Sequence, residues 1–162
     1  MSGRTERNTR EDARGAVSGQ LTATFEDGST TSFTAVDPTD LTGDFGSFVF
    51  DETSGRWSYQ IDNSLAATQA LVSGERVEET LVVQDLGGTT ETTITVEIRG
   101  RDDDAELTGQ TRFEETLSDA ALIEGQIILD DPDRDQDRFA RVSRADLSGK
   151  AGAFTFNRNT GD

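Results

Sequence analysis

The chain has no cysteine and no histidine among its 162 residues. Disulfides, thiol nucleophiles, zinc sites of the Cys/His kind and Ser-His-Asp triads are therefore excluded within it. Positive charge is scarce: 15 basic residues, of which Lys150 is the only lysine, face 32 acidic ones, for a formal charge of −17. Nucleic acid and anionic membrane surfaces both require a basic footprint, so such a chain repels them and favours cations. No apolar run approaches the roughly 18 residues needed to cross a membrane, so no membrane insertion is expected. The opening "MSGRTERNTREDARG" lacks the apolar region of a secretory signal. "GxGxxG", P-loop and "GxSxG" patterns are absent, and no two carboxylates are marked out as a hydrolytic pair.

Hydrophobic content is also low, at 32%, close to the range in which chains stay unfolded. Nine phenylalanines, sixteen glycines at turn-like positions and patterned Thr/Val/Ile stretches argue instead for a thin-cored β protein. Period-2 alternation places Leu21, Ala23 and Phe25 on one face, and likewise Phe48 with Phe50, and Trp57, Tyr59 and Ile61. In "TTETTITVEIR", Ile94, Val96 and Ile98 point inward while Thr95, Glu97 and Arg99 point to water. Asp27-Gly28, the "DETSGR" loop at 51–56 and Gly87-Gly88 punctuate these runs as hairpin turns. Only "NSLAATQALVSGE" (63–75) reads as helical, with a capping Asn or Ser and a terminating Gly74. The expected fold is all-β: an antiparallel immunoglobulin/cadherin-like β-sandwich with one short helix.

The chain also repeats itself. Residues 18–55 align without gaps on residues 124–161 at an offset of 106, pairing Gly19 with Gly125, Gln20 with Gln126, Phe33 with Phe139, Leu41 with Leu147, Gly46 with Gly152, Phe48 with Phe154 and Gly55 with Gly161. Upstream, "SGRT" (2–5) falls on "TGQT" (108–111). Recurring glycines and core aromatics with drifting positions between them mark a duplicated fold. Three segments follow: a polar N-terminal stretch 1–16 that forms part of the first strand, a sandwich repeat 17–104, and the start of a second, truncated repeat at 105–162.

Residues 46–100 carry an ordered series of motifs: a Gly-led strand at Gly46, the turn Asp51–Gly55, Trp57-x-Tyr59, Asp62-Asn63, "LVSGE" at 71–75, a strand ending at Asp85, and a threonine-rich strand ending in Ile98-x-Gly100. With "SGQLTATFEDG" as the first strand and turn, this series resembles the VCBS repeat of large bacterial surface and exported proteins, including RTX-type adhesins. The resemblance implies tandem sandwiches in a secreted or cell-surface adhesin, with calcium at the junctions. It implies neighbouring repeats of the same chain, and a cell-surface or glycan receptor, as partners. Where the family closes a repeat with "N-D-x-P", this chain has "RGRDDDAEL" (99–107), and where many members carry a D-x-D run the first repeat has "TFEDGST".

The second repeat does carry an acidic run at that place. "DDPDRDQD" (130–137) sets Asp131, Asp133, Asp135 and Asp137 at alternate positions, and such carboxylates can converge on calcium, which takes six to eight hard oxygens. It is not an EF-hand, because counting from Asp131 the sixth residue is Gln136 and the twelfth Val142. A solvated turn is equally affordable: aspartates about 6.6 Å apart repel by only about 0.6 kcal/mol in water. Asp102, Asp103 and Asp104 are the second calcium candidate, at the repeat junction, against an acidic linker held extended by self-repulsion. The functional expectation is a non-enzymatic spacer or adhesion module rigidified by calcium. The alternative is a carbohydrate-binding module, which needs Trp57 and Tyr59 on an exposed face although their alternation puts them with Ile61 in the core.

Overall fold

The computed structural model describes residues 1–112, 122–150 and 152–162, which form two compact units, Met1–Asp102 and Asp103–Asp162. The first unit is a β-sandwich. One sheet runs in the order β1 (Ser2–Gly3), β3 (Val17–Thr24), β6 (Arg56–Ile61), β5 (Gly46–Phe50), with β4 (Thr30–Thr31) hairpinned onto β3. The other runs β2 (Glu6–Arg10), β8 (Glu91–Arg99), β7 (Arg76–Gln84). Alternation supplies the core, as expected. Leu21, Ala23, Phe48, Trp57, Tyr59 and Ile61 from the first sheet meet Leu81, Val83, Ile94, Val96 and Ile98 from the second. Phe33 and Leu71 close the cluster from the connecting segments.

The pairing corrects one expectation. The sandwich is not wholly antiparallel, because β2 lies parallel to β8, Glu6 beside Thr95 and Arg10 beside Arg99. The polar stretch that holds β1 and β2 divides between the sheets. Arg4 N–H donates to Gln20 O (3.1 Å), and one residue later Thr5 O accepts from Thr95 N–H (2.7 Å). A segment of so few apolar residues gives no sequence sign of this, since main-chain hydrogen bonds hold it. Phe25 is a second correction. It lies half exposed beyond the end of β3, where the hairpin over Asp27-Gly28 takes Phe25 N–H to Ser29 O.

The helix is shorter than the composition predicts, a single turn α1 (Ala66–Gln69) without a side-chain cap. Asp62, instead of capping it, accepts Ser64 N–H (2.9 Å) and Oγ–H (2.6 Å). The same device recurs at Asp27 with Ser29, at Asp37 with Thr39 and at Asp51 with Thr53 and Ser54. The Ser29, Thr39, Ser54 and Ser64 bonds hold these four carboxyls below their ordinary range. Many of the excess acids are thus turn-builders, because an Asp side chain can satisfy main-chain donors two residues on.

One strand acid of the first unit, Glu79, joins the core face. Glu79 follows the phase of Leu81 and Val83 on β7 and is only 7% exposed. It accepts Phe45 N–H (2.8 Å) from the loop before β5 and so joins the two sheets. At Gly43 a Cβ would lie 1.8 Å from Glu79 Oε2, so any larger residue there would displace the carboxylate from its place. Burial pushes the carboxyl above its ordinary range, the Phe45 and Asp44 N–H groups pull it down, and the Asp44 charge adds to the rise. Burial and then Glu79 likewise raise the Tyr59 phenol. A raised carboxyl binds its proton more tightly in the folded state. Its stabilising share is therefore complete at acid pH and lost as pH climbs through the raised value. Glu79→Gln keeps the acceptor without the charge. We expect its urea midpoint to exceed the parent's by a margin that widens from pH 4 to pH 8; a constant margin would show that the carboxyl holds its proton equally well folded and unfolded.

The second unit repeats a series of the first unit's main-chain bonds and ring contacts. Its two strands, β9 (Glu106–Gly109) and β10 (Ile127–Asp130), pair Thr108 with Ile128 and Gly109 with Ile127, the register of Ser2 with Thr22 and Gly3 with Leu21. Ile127 N–H donates to Gly161 O (2.9 Å) as Leu21 N–H does to Gly55 O (2.8 Å). Phe139 and Phe156 stack edge to face at 5.1 Å as Phe33 and Phe50 do at 5.2 Å. Phe154 N–H reaches Leu147 O at 2.7 Å, as Phe48 N–H reaches Leu41 O at 2.7 Å. The offset of 106 read from glycines and aromatics is thus a structural repeat. Within it, residues 113–121 and 151 lie outside the described residues.

Candidate functional site

The acidic loop of the second unit leaves β10 at Asp130. Its members differ in what they do. Asp131 Oδ1 accepts Asp133 N–H (3.0 Å), the same turn that Asp27 and Asp62 make in the first unit. Asp137 Oδ1 accepts Asp131 N–H (2.8 Å) and ties the two ends of the loop together. Asp135 is exposed and takes the left-handed conformation, φ 65°, which Asp tolerates better than most residues. For Asp131 and Asp137 the turn reading accounts for one oxygen each.

Asp133 is different. It is 2% exposed. Its Oδ2 accepts Asp103 N–H (2.6 Å), while its Oδ1 is buried with no hydrogen-bond partner. A buried carboxylate oxygen without a donor is costly, because desolvation is not offset. The Asp103 bond also ties the start of the second unit to the 130–137 loop, 30 residues on in sequence. Asp104 is exposed, and Asp102, the last residue of the first unit, accepts Ser73 N–H (2.8 Å) with Oδ1. Among the described residues no three acidic side chains are drawn into a ready-made cage. The site is one committed carboxylate, Asp133, with neighbours on a short loop.

A further acid escaped the sequence reading. Glu11, just after β2, is fully buried, and its Oε2 accepts Arg101 N–H (2.9 Å). Beside it Asp12 receives Asn63 Nδ2–H (3.3 Å) and pairs with the Arg101 guanidinium (3.3 Å). Around Glu11 only Ala13 in the same phase is apolar, too little for alternation to mark the position as buried. For Glu79 alternation did offer a signal, since its own strand is regular. Asp85 builds the turn that follows β7: Thr89 and Thr90 N–H donate to Oδ1 at 2.9 and 3.3 Å and hold the carboxyl low.

Trp57 and Tyr59 are 2% and 1% exposed, so the aromatic platform that a carbohydrate-binding reading requires is inside the core. Fold and site together define a β-sandwich module followed by a unit that repeats its first strands and turns. No known family profile matches the chain, and no curated protein matches it. Among solved structures it is similar to the protocadherin gamma B2 extracellular cadherin domains 1–5, at 14% identity and a TM-score of 0.41, over 83% of this chain and 26% of that one. The chain thus spans about a quarter of that structure's length.

Proposed function

We propose that the protein is a spacer and adhesion module of a bacterial exported or surface protein, arranged in tandem and stiffened by calcium. The residue motifs of 46–100 support the VCBS-type reading, and the internal repeat supports the tandem arrangement. Calcium rests on one observation: the buried Asp133 carboxylate, whose Oδ1 has no donor. A hard divalent cation supplies the missing charge, with Asp131, Asp135 and Asp137 as loop ligands and Asp103 and Asp104 as candidates from the adjoining stretch. Asp102 is the corresponding candidate at the end of the first unit. Bound calcium would hold like charges together and so raise the stability of the loop. The partners would be neighbouring repeats and a cell-surface or glycan receptor.

The test is a calcium titration of the full chain, followed by calorimetry and by amide exchange at Ile127–Asp130. At a hundredfold excess over Kd, binding contributes about 2.7 kcal/mol, a rise of roughly 20 °C for a unit this small. Asp133→Asn keeps the Asp103 acceptor and should abolish the rise, whereas Asp27→Asn in the exposed first-unit turn should leave it intact. An unchanged melting point at millimolar calcium and in EDTA would remove the metal from this reading.

A further inference from the structure

Basic residues are few in this chain, yet several gather in one place. On the outer face of the β2–β8–β7 sheet, Arg10 lies directly opposite Arg99, and Arg99 directly opposite Arg76. All three are exposed, while Thr9, Ile98 and Val77, one position away on each strand, take the core side. Like charges opposite one another on neighbouring strands are destabilising, so the row carries a cost that the fold does not require. Glu97 offsets part of it, with Oε1 on Arg99 (2.7 Å) and Oε2 on Arg76 (3.2 Å). Exposed pairs of this kind contribute little. Arg10 forms no ion pair among the described residues. Arg101, held by Asp12, joins the three around a groove of about 340 Å³ that Gly74 and Gly100 also line. Four of the chain's 15 basic residues thus meet at one opening, and the acid in its lining, Glu75, accepts Val72 N–H (3.3 Å). The next outward-facing row is Asn8, Glu97 and Glu78, again in register. A second groove runs over that row and shares Arg99 with the first.

We infer that this outer face binds an acidic glycan, its carboxylate or sulfate groups on the Arg10–Arg99–Arg76 row and its hydroxyls on the Asn8–Glu97–Glu78 row. The inference rests on the glycan-receptor part of the proposed function and gives it a site and a chemical class. Each guanidinium offers a planar fork of N–H donors that matches an oxyanion. Neighbouring strands lie about 4.8 Å apart, so the row presents three forks along roughly 10 Å, room for more than one anionic group. The adjoining row selects among polyanions. Glu78 and Glu97 accept hydrogen bonds from sugar hydroxyls but repel the closely spaced phosphates of a nucleic acid. No aromatic side chain lines either groove to stack on bases, and for the same reason a neutral sugar finds no ring to rest on. Charge therefore carries the recognition. The net −17 of the chain does not cancel it, because at physiological ionic strength charges beyond about 8 Å are largely screened. The Arg99 bond first, then Arg76, holds the Glu97 carboxyl below its ordinary range, in keeping with a locally positive potential.

The experiment titrates the full chain, in EDTA, with short oligosaccharides of heparin, which carry sulfate and carboxylate, and of polygalacturonate, which carry carboxylate alone. Calorimetry should show binding that weakens as salt rises from about 50 to 200 mM, and none to neutral dextran. Binding of both assigns carboxylate as a sufficient group, and binding of heparin alone assigns sulfate. Arg10→Ser should lower the affinity at least about tenfold with the melting point unchanged, since Arg10 supports no ion pair. Arg141→Ser removes the same charge from an exposed position of the second unit and should leave the affinity as it is. Absence of binding to either oligosaccharide at about 50 mM salt, or binding indifferent to Arg10→Ser, overturns the inference. Equal affinity for a single-stranded DNA oligonucleotide or for phosphatidylserine vesicles overturns it too, since the row would then be a general polyanion patch. EDTA keeps calcium out of these titrations, so their failure is separable from that of the calcium reading.

Discussion

Trp57→Ala should lower the stability of the first unit by about 3–5 kcal/mol, the range for truncating a large buried aromatic. The indole is 2% exposed near the start of β6, the strand between β3 and β5. It rests on the bare Cα of Gly19 and donates its Nε1–H to Arg4 O (2.9 Å), where the chain passes between sheets. Alanine therefore opens a cavity and also leaves a carbonyl unsatisfied. For a unit of this size the melting point should fall by roughly 15–30 °C, read by calorimetry or far-ultraviolet circular dichroism. Trp57→Phe separates the two losses. It keeps most of the volume and gives up the hydrogen bond, itself worth about 1 kcal/mol, so its shift should be a minor part of the alanine effect. A drop of only a few degrees in Trp57→Ala would mean that the packing around the indole relaxes freely.

Gly55→Val should be comparably damaging through the backbone. Gly55 sits at φ 65°, and a Cβ there would lie 2.2 Å from Leu21 O and 2.7 Å from the Phe33 ring. The left-handed conformation costs an L-residue about 1–2 kcal/mol, and forcing atoms into a packed site adds about 1–3 more. The Leu21 N–H to Gly55 O bond that ends the β3–β6 ladder is then strained as well. Gly161 repeats the geometry at φ 75°, with Ile127 O only 1.8 Å from a would-be Cβ. Gly161→Val should therefore release the Ile127 amide to exchange while the first unit melts unchanged. Equal melting of both variants would contradict the division into two units.

The strands that alternate most regularly were legible in the residues. Ile94, Val96 and Ile98, and Trp57, Tyr59 and Ile61, lie inward as their period demands, because a pleated strand sends alternate side chains to opposite faces. Turns at Asp27-Gly28 and Gly87-Gly88 were equally plain, with Gly28 and Gly88 at positive φ. The candidate site was legible only as a cluster. Nothing in "DDPDRDQD" distinguishes Asp133 from Asp131, since both are aspartates in one spacing. What separates them is that one closes a turn and the other is buried under a contact from Asp103. Phe25 failed for a related reason: alternation cannot tell where a strand stops.

From the sequence alone came the absence of thiol and imidazole chemistry, the acidic surface, the all-β class and the repeat at offset 106. Each is a property of composition or of short-range periodicity, which the chain carries whatever its fold. Tertiary structure decided the rest: the parallel seat of β2 on β8 and the burial of Glu11, Glu79 and Asp133. Those depend on contacts between residues some 30 to 90 positions apart, where an N–H or a carboxylate finds its partner only after the sheets have packed.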